Sequence, residues 1–195
     1  MPEAAHRLFV AVPVPPHALD ACRDLLEGVR RGPAGRGARW VRTENLHLTL
    51  RFLGATQPER VPAVADALRA GVGATPAFRV RLAGGGAFPS ATRPRALWLG
   101  IQEGATELAA IAAALEAPLA GLGWPPEGRP FRAHLTVARA DAASIADGAR
   151  AAAALVAAAA GWETAFDADR VILYRSHLRA GPPVYEPVAE VPLAR

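Results

Sequence analysis

The sequence predicts an α+β fold built from antiparallel sheets and arranged as two lobes of one domain spanning residues 1–195. Strand-like segments alternate irregularly with four helical ones, and some strands fall close enough to be hairpin partners. That pattern disfavours a regular parallel β-α-β array. The tetrapeptide His47-Leu48-Thr49-Leu50 also returns 87 residues later as His134-Leu135-Thr136-Val137, a spacing close to half the chain. Each half is therefore expected to form a lobe around its own copy, and no sharp linker divides them.

Arg7–Val12 is apolar and strand-like, stopped by Pro13, Pro15 and Pro16. His17–Arg30 carries Leu19, Cys22, Leu25, Leu26 and Val29 near one helical stripe. Gly32–Gly37 is a glycine-rich, arginine-bearing segment expected to be a mobile loop. Trp40–Phe52 contains the first motif as a strand, closed by Gly54. Pro58–Gly71 has an early proline and a buried spacing of Val61, Val64, Ala65 and Leu68, which predicts a helix. Phe78–Leu82 alternates as a half-exposed strand, and Ala96–Ile101 forms another around Trp98. Between them, Gly84-Gly85-Gly86 lacks the Gly-Lys-Ser/Thr ending of a phosphate loop. Thr106–Leu119 is helical, Phe131–Ala138 is the second motif strand, and Ser144–Ala160 is an alanine-rich helix. Phe166, Val171–Tyr174 and Tyr185–Val191 supply the closing strands.

Composition narrows the function classes without choosing one. All 22 basic residues are arginine, a pattern that coding bias in a GC-rich genome explains without any functional cause. The net charge of +4 and the pI near 10.4 suit an anionic ligand, although no dense basic run marks a nucleic-acid binder. Cys22 is the single cysteine, so no intrachain disulfide is possible; its expected place is a buried helix face. No run reaches the roughly 18 apolar residues of a membrane span, and Met1–Val12 is too short and strand-like for a leader. A cytoplasmic monomer with no membrane partner is the expectation.

Side chains in a strand alternate faces, so His47 and Thr49 share one face while Leu48 and Leu50 take the other. The second copy repeats this with His134 and Thr136 opposite Leu135 and Val137. Two imidazoles can divide acid and base work, one taking a proton from water and one giving a proton to a departing alkoxide. In-line displacement at phosphorus needs such groups on opposite sides, with hydroxyls and arginines holding the non-bridging oxygens. Arg51, two residues beyond Thr49, is expected on the His47 face of a regular strand. Arg139 lies at odd spacing from His134 and is expected on the opposite face unless the strand end twists. One His-x-Thr is a weak signal, since a lone strand histidine is commonly structural; two copies in separate halves are a stronger one. A metal site is the competing idea, with His6 and His177 as further ligands if folding brings them in. Neither His-x-Thr-x motif contains an acidic residue, and the usual metal-ligand spacings are missing.

With both motifs quoted, the chain resembles the two-histidine (2H) phosphoesterase superfamily. Within it, the chain looks like the bacterial and archaeal RNA 2′,3′-cyclic phosphodiesterases, historically called 2′-5′ RNA ligases. Matching segments include Arg39-Trp40-Val41, Asn45 to Gly54, Gly86-Ala87-Phe88-Pro89, Pro94 to Trp98, Arg129 to Arg139 and Tyr174-Arg175-Ser176. The resemblance implies two pseudo-symmetric antiparallel sheets with helices outside and a central cleft. It implies hydrolysis of an RNA-terminal 2′,3′-cyclic phosphate to a 2′-phosphomonoester without metal or nucleotide cofactor. His47 would donate a proton to the leaving 3′-oxygen, and His134 would activate water. Thr49 and Thr136 would hold phosphoryl oxygens, with Arg51 and Arg139 as candidate phosphate contacts. Reversal with an RNA 5′-hydroxyl would give 2′-5′ ligation. Arg132-Ala133 departs from the proline common before the second histidine. A smaller cyclic nucleotide or a 2′-5′ oligonucleotide is the alternative substrate, and an RNA-binding protein with incidental chemistry is the alternative class. Phe52, Phe88 and Trp98 are stacking candidates for which core packing is the simpler assignment. For Tyr185 the simpler assignment is a closing-strand aromatic; Arg36 and Arg39 are candidate RNA contacts.

Overall fold

The computed structural model describes residues 5–140, 144–177 and 181–195. Among the described residues, nine strands form two sheets. The first contains β1 (His6–Pro13), β3 (His47–Thr56), β8 (Arg170–His177) and β9 (Val184–Pro192), in the order β3-β1-β8-β9. The second contains β2 (Ala38–Trp40), β4 (Phe78–Phe88), β5 (Ala96–Glu103), β6 (His134–Ala140) and β7 (Glu163–Ala168), in the order β2-β6-β5-β4-β7. Every ladder in both sheets is antiparallel. The α+β class and its two antiparallel sheets therefore stand, with one motif strand in each.

The sheets are not the two halves of the sequence, which corrects that expectation. β8 and β9 return from the C-terminal half to complete the first sheet, and β2 and β4 of the N-terminal half join the second, with β2 at its edge. The strand expected over Trp40–Phe52 accordingly splits. A 3₁₀ turn at Thr43–Asn45 separates β2 from β3 and carries the chain from one sheet to the other. The crossing lays Arg39 and Trp40 beside Arg139 and Ala138 of the second motif strand.

Helices cover the sheets through apolar stripes. α1 (Pro16–Arg31) buries Ala18, Cys22, Leu26 and Val29, spaced for one face, and starts with proline where a missing N–H costs nothing. Burial pushes the Cys22 thiol up to about 12, consistent with its expected role as a small apolar residue. α5 (Ile145–Ala158) is capped by Ser144, whose hydroxyl accepts from the Asp147 N–H at 3.2 Å, and packs with α1 over the second sheet. α2 (Val61–Val72) lies against β9. The helix expected over Thr106–Leu119 is two helices, α3 (Ala105–Ala114) and α4 (Glu116–Gly121). Pro118 has no N–H to offer the Ala114 carbonyl, so the ladder breaks there.

The glycine-rich segment after α1 is not the exposed loop expected. Pro33–Gly37 forms a 3₁₀ turn with Gly35 and Gly37 buried. A Cβ on Gly37 would stand 2.1 Å from the Asp147 carbonyl oxygen, so only glycine allows this approach to α5. The Trp40 indole N–H donates to the Gly35 carbonyl at 2.8 Å and ties the turn down. In both motifs the alternation predicted from sequence holds. Leu48, Leu50, Leu135 and Val137 are buried, while His47, Thr49, His134 and Thr136 are half-buried. Burying a leucine or valine contributes about 1.5–3 kcal/mol, so the apolar face pins which face the histidines occupy.

Candidate active site

The two histidines are held in the same way. The Nδ1–H of His47 donates to the Asn45 carbonyl at 2.8 Å, and that of His134 to the Arg132 carbonyl at 2.7 Å. A carbonyl oxygen only accepts, so each contact requires a proton on Nδ1. In the neutral ring this leaves Nε2 bare, the nitrogen free to take a proton or, once protonated, to give one. Each carbonyl lies two residues before its histidine, so the strand entry itself sets the tautomer. The orienting carbonyls were invisible in the sequence because any residue supplies one.

Both strands then break their alternation at the same point. Thr49 pairs with Ala11, but Arg51 pairs with Val10, so Leu50 is an extra residue in the β1–β3 ladder. Thr136 pairs with Trp98 and Ala138 with Leu97, so Val137 is extra in the β5–β6 ladder. Each β-bulge sits one residue beyond the threonine and reverses the facing of the residues after it. Arg139, five residues after His134, is thereby brought to the face of Thr136, and both line the cleft. Phe52, five residues after His47, takes the matching place in the first motif, 63% exposed. Its assignment to the core is corrected: it stands in the cleft.

The same bulge overturns the expected facing of Arg51. Its side chain is 6% exposed and turned from the His47 face. Nη1 lies 3.6 Å from Glu116 and 3.5 Å from Glu127, and Nη2 donates to the Pro125 carbonyl. Arg51 borders the larger cavity, but its guanidinium clamps the segment between α4 and β6.

Two adjoining cavities form the cleft. The first, about 400 Å³, is lined by His47, Asn45, Phe9 and Tyr185; the second, about 770 Å³, by His134, Phe131 and Pro130. Thr49, Phe52, Thr136 and Arg139 line both. One side of the shared region thus has the first histidine and the other side the second, with both hydroxyls and one guanidinium between.

The surroundings of the two rings differ. Phe9 lies 4.7 Å from His47 between ring centroids, Tyr185 meets it edge-on at 5.3 Å, and Tyr174 lies at 6.4 Å. Burial in this aromatic wall holds the His47 pKa below the ordinary imidazole value; the Asn45 contact opposes the shift only partly. Among the described residues His134 has one such neighbour, Phe88, edge-on at 5.0 Å. Burial raises the Tyr185 pKa, with the Arg139 charge acting in the opposite direction. Tyr185 is therefore a cleft residue as well as a strand aromatic.

The triple glycine has a packing role. A Cβ on Gly86 would come within 2.3 Å of the Trp98 ring, so the indole lies on bare backbone beside its cross-strand partner Thr136. Arg39 lines a side cavity with Arg42, Arg139 and Tyr185, whereas Arg36 is exposed on the 3₁₀ turn. His6 lies on β1, and His177 on β8 pairs with Glu186 at 2.6 Å, so neither joins the two motif histidines. Among the described residues no helix is long and apolar enough to cross a membrane.

Comparison with known proteins agrees with this duplicated architecture. A family model described as LigT like Phosphoesterase matches twice, over residues 12–98 and 99–185, with one motif in each copy. A Geobacillus stearothermophilus protein named RNA 2′,3′-cyclic phosphodiesterase is 34% identical over 154 residues, 79% of this chain. The chain spans only about half of that relative, 47% of its length. A protein of the same name from Archaeoglobus fulgidus is 37% identical over 134 residues, 68% of this chain and 72% of the relative. A solved structure from Thermus thermophilus superposes with a TM-score of 0.75 at 27% identity, covering 96% of this chain and 97% of that one. With two matches that together run from residue 12 to 185, the chain belongs to the LigT-like phosphoesterase family.

Proposed function

We propose that this chain hydrolyses the 2′,3′-cyclic phosphate at the end of an RNA strand to a 2′-phosphomonoester by two-histidine acid–base catalysis. The observation that carries the reading is the paired geometry of the rings. Each histidine donates Nδ1–H to its own strand entry and keeps Nε2 for the cavity it lines, beside a threonine. The names of the relatives support the substrate class.

The roles follow from the chemistry. The cyclic diester sits in the region common to both cavities, where Thr49 and Thr136 hydroxyls and the Arg139 guanidinium hold its non-bridging oxygens. His134 Nε2 takes a proton from water as the water oxygen bonds to phosphorus. The bond from phosphorus to the 3′-oxygen breaks, and His47 Nε2 gives its proton to that oxygen. The rings end in exchanged protonation states, and solvent resets them. Burial disfavours the His47 imidazolium, and the anionic substrate beside it restores the charged form as it binds. An RNA 5′-hydroxyl in place of water would run the same steps toward a 2′-5′ linkage. The cleft draws on strands of both sheets, which supports treating residues 1–195 as one working domain and as a sufficient monomer.

The test is turnover of a cyclic-phosphate-ended oligonucleotide in excess chelator. His47→Ala and His134→Ala should each lose about 10²–10⁴ in kcat while still binding a 2′-phosphate-ended product. Full activity in both variants would remove the acid–base proposal. Loss of turnover in chelator alone would return the metal reading.

A further inference from the structure

Residues 122–133, between α4 and β6, are tied down by β3, by the 3₁₀ turn at Pro58–Arg60 that follows it, and by α4. Arg60 donates to the Leu122 carbonyl and lays its guanidinium 4.2 Å from the centre of the Trp124 ring. The Trp124 indole N–H donates to the Leu53 carbonyl at 2.9 Å. Leu53 is an extra residue in the β1–β3 ladder, between the paired Phe52 and Gly54, so its backbone is left for the indole. Arg51 adds its bond to the Pro125 carbonyl, and the Glu127 N–H donates to the Glu116 carboxylate at 3.3 Å. Beyond these ties the chain passes Arg129, Pro130 and Phe131, which line the His134 cavity. It then reaches Arg132, whose carbonyl takes the His134 Nδ1–H at 2.7 Å. Pro125, Pro126 and Pro130 fix their own φ angles and stiffen this path.

We propose that Trp124 is a positioning residue for His134: by tying residues 122–133 to the first sheet, it holds the Arg132 carbonyl where that carbonyl keeps the His134 proton on Nδ1. The inference rests on the two-histidine reading above and deepens it. Its basis is a difference between two otherwise equivalent rings. The Asn45 carbonyl that serves His47 belongs to a short closed turn. There the Asn45 N–H donates to the Arg42 carbonyl at 2.9 Å, and the Leu46 N–H to the Thr43 carbonyl at 3.1 Å. The Asn45 side chain adds a bond to the Pro183 carbonyl at 2.8 Å. Arg132 instead enters β6 from an irregular segment, so the ties upstream hold it in place. The consequence is chemical. In water a neutral imidazole favours the proton on Nε2, and a carbonyl acceptor at Nδ1 reverses that preference. If Arg132 shifts, the His134 proton returns to Nε2, and that nitrogen no longer accepts one from water. The strand that presents His47 and Thr49 to the cleft thus sets, through Trp124, the tautomer of the other histidine.

The experiment compares Trp124→Phe with wild type. The phenyl ring keeps most of the packing and lacks the indole N–H. Nitrogen-15 NMR of the imidazoles, assigned with His47→Gln and His134→Gln, reads each tautomer at a pH where both rings are neutral. In Trp124→Phe the His134 signals should move toward the Nε2-protonated form while those of His47 stay in place. On a cyclic-phosphate-ended oligonucleotide kcat should fall by about three- to tenfold, the range set by one lost hydrogen bond, with KM unchanged. Pro126→Gly, at an exposed site that makes none of the ties, frees the path instead and should move the same signals in the same direction. It decides the question if Trp124→Phe does not melt in a single transition. An unmoved His134, or equal movement in both rings, would overturn the positioning role, and so would a His134 shift at unchanged kcat. Failure of wild type to turn over the substrate would overturn the catalytic reading instead, and the NMR comparison then still decides what holds His134.

Discussion

Arg51 and Arg139 occupy comparable stretches of two duplicated strands, yet the bulges send them to opposite fates, and exchanging each for methionine should separate them. In Arg51→Met the chain loses the hydrogen bond to the Pro125 carbonyl and two ion pairs to Glu116 and Glu127. A hydrogen bond from a charged donor contributes about 1.5–3 kcal/mol. The ion pairs add at most about 1 kcal/mol each, because Glu116 and Glu127 are 37% and 54% exposed and screened by water. Against this, Nε and Nη1 of Arg51 are buried without hydrogen bonds, a cost that methionine removes. The net loss is about 2 kcal/mol, which lowers Tm by roughly 4–8 °C for a chain of this size. Arg139 is exposed, so Arg139→Met should leave Tm nearly unchanged. It should instead lower kcat/KM for the cyclic phosphate by about 10²–10³, the usual effect of losing a donor to developing negative charge. Thermal melts and steady-state kinetics on both variants read the two quantities independently. A more than tenfold loss of kcat/KM in Arg51→Met at unchanged Tm would refute the argument from the bulges. Full activity in Arg139→Met would refute it equally.

Four further outcomes concern the site. His47 has a folded-state pKa below its unfolded value, so its contribution to stability is fully present above the ordinary histidine pKa and is lost as pH falls through the folded value. His47→Gln should therefore melt with a shallower decline on acidification than wild type; parallel curves would contradict this. Because burial holds the free-enzyme His47 pKa low, one inflection of the kcat/KM profile should lie below the ordinary imidazole value of about 6.5, and the matching kcat inflection should lie higher once the anionic substrate is bound. A kcat/KM profile with no inflection below that value would contradict the low His47 pKa. Phe52→Ala removes a ring that is 63% exposed, so substrate KM should rise several-fold with Tm unchanged; a lower Tm would place the ring in the core. Gly86→Ala drives a methyl into the Trp98 indole, which should shift its fluorescence and lower kcat through the neighbouring Thr136. Unaltered emission and kcat would show that the seat is not tight.

The sequence alone determined the antiparallel α+β class and the placement of His47, Thr49, His134 and Thr136 on half-buried strand faces. Those features are local: period-two alternation against buried Leu48, Leu50, Leu135 and Val137 leaves the polar pair only one face. Cys22 on its helix stripe was legible for the same reason. Tertiary structure decided what alternation cannot carry. A bulge is a mismatch between two strands, so the facing of Arg51, Phe52 and Arg139 depends on partners β1 and β5 far away in sequence. Sheet membership is equally non-local, which is why β2 and β8 crossed the expected halves. The glycines read as a mobile loop proved to be close contacts, because a missing Cβ has meaning only when a neighbour arrives. The imidazole tautomers rest on backbone carbonyls that every residue has, and only the folded path of the chain aims them.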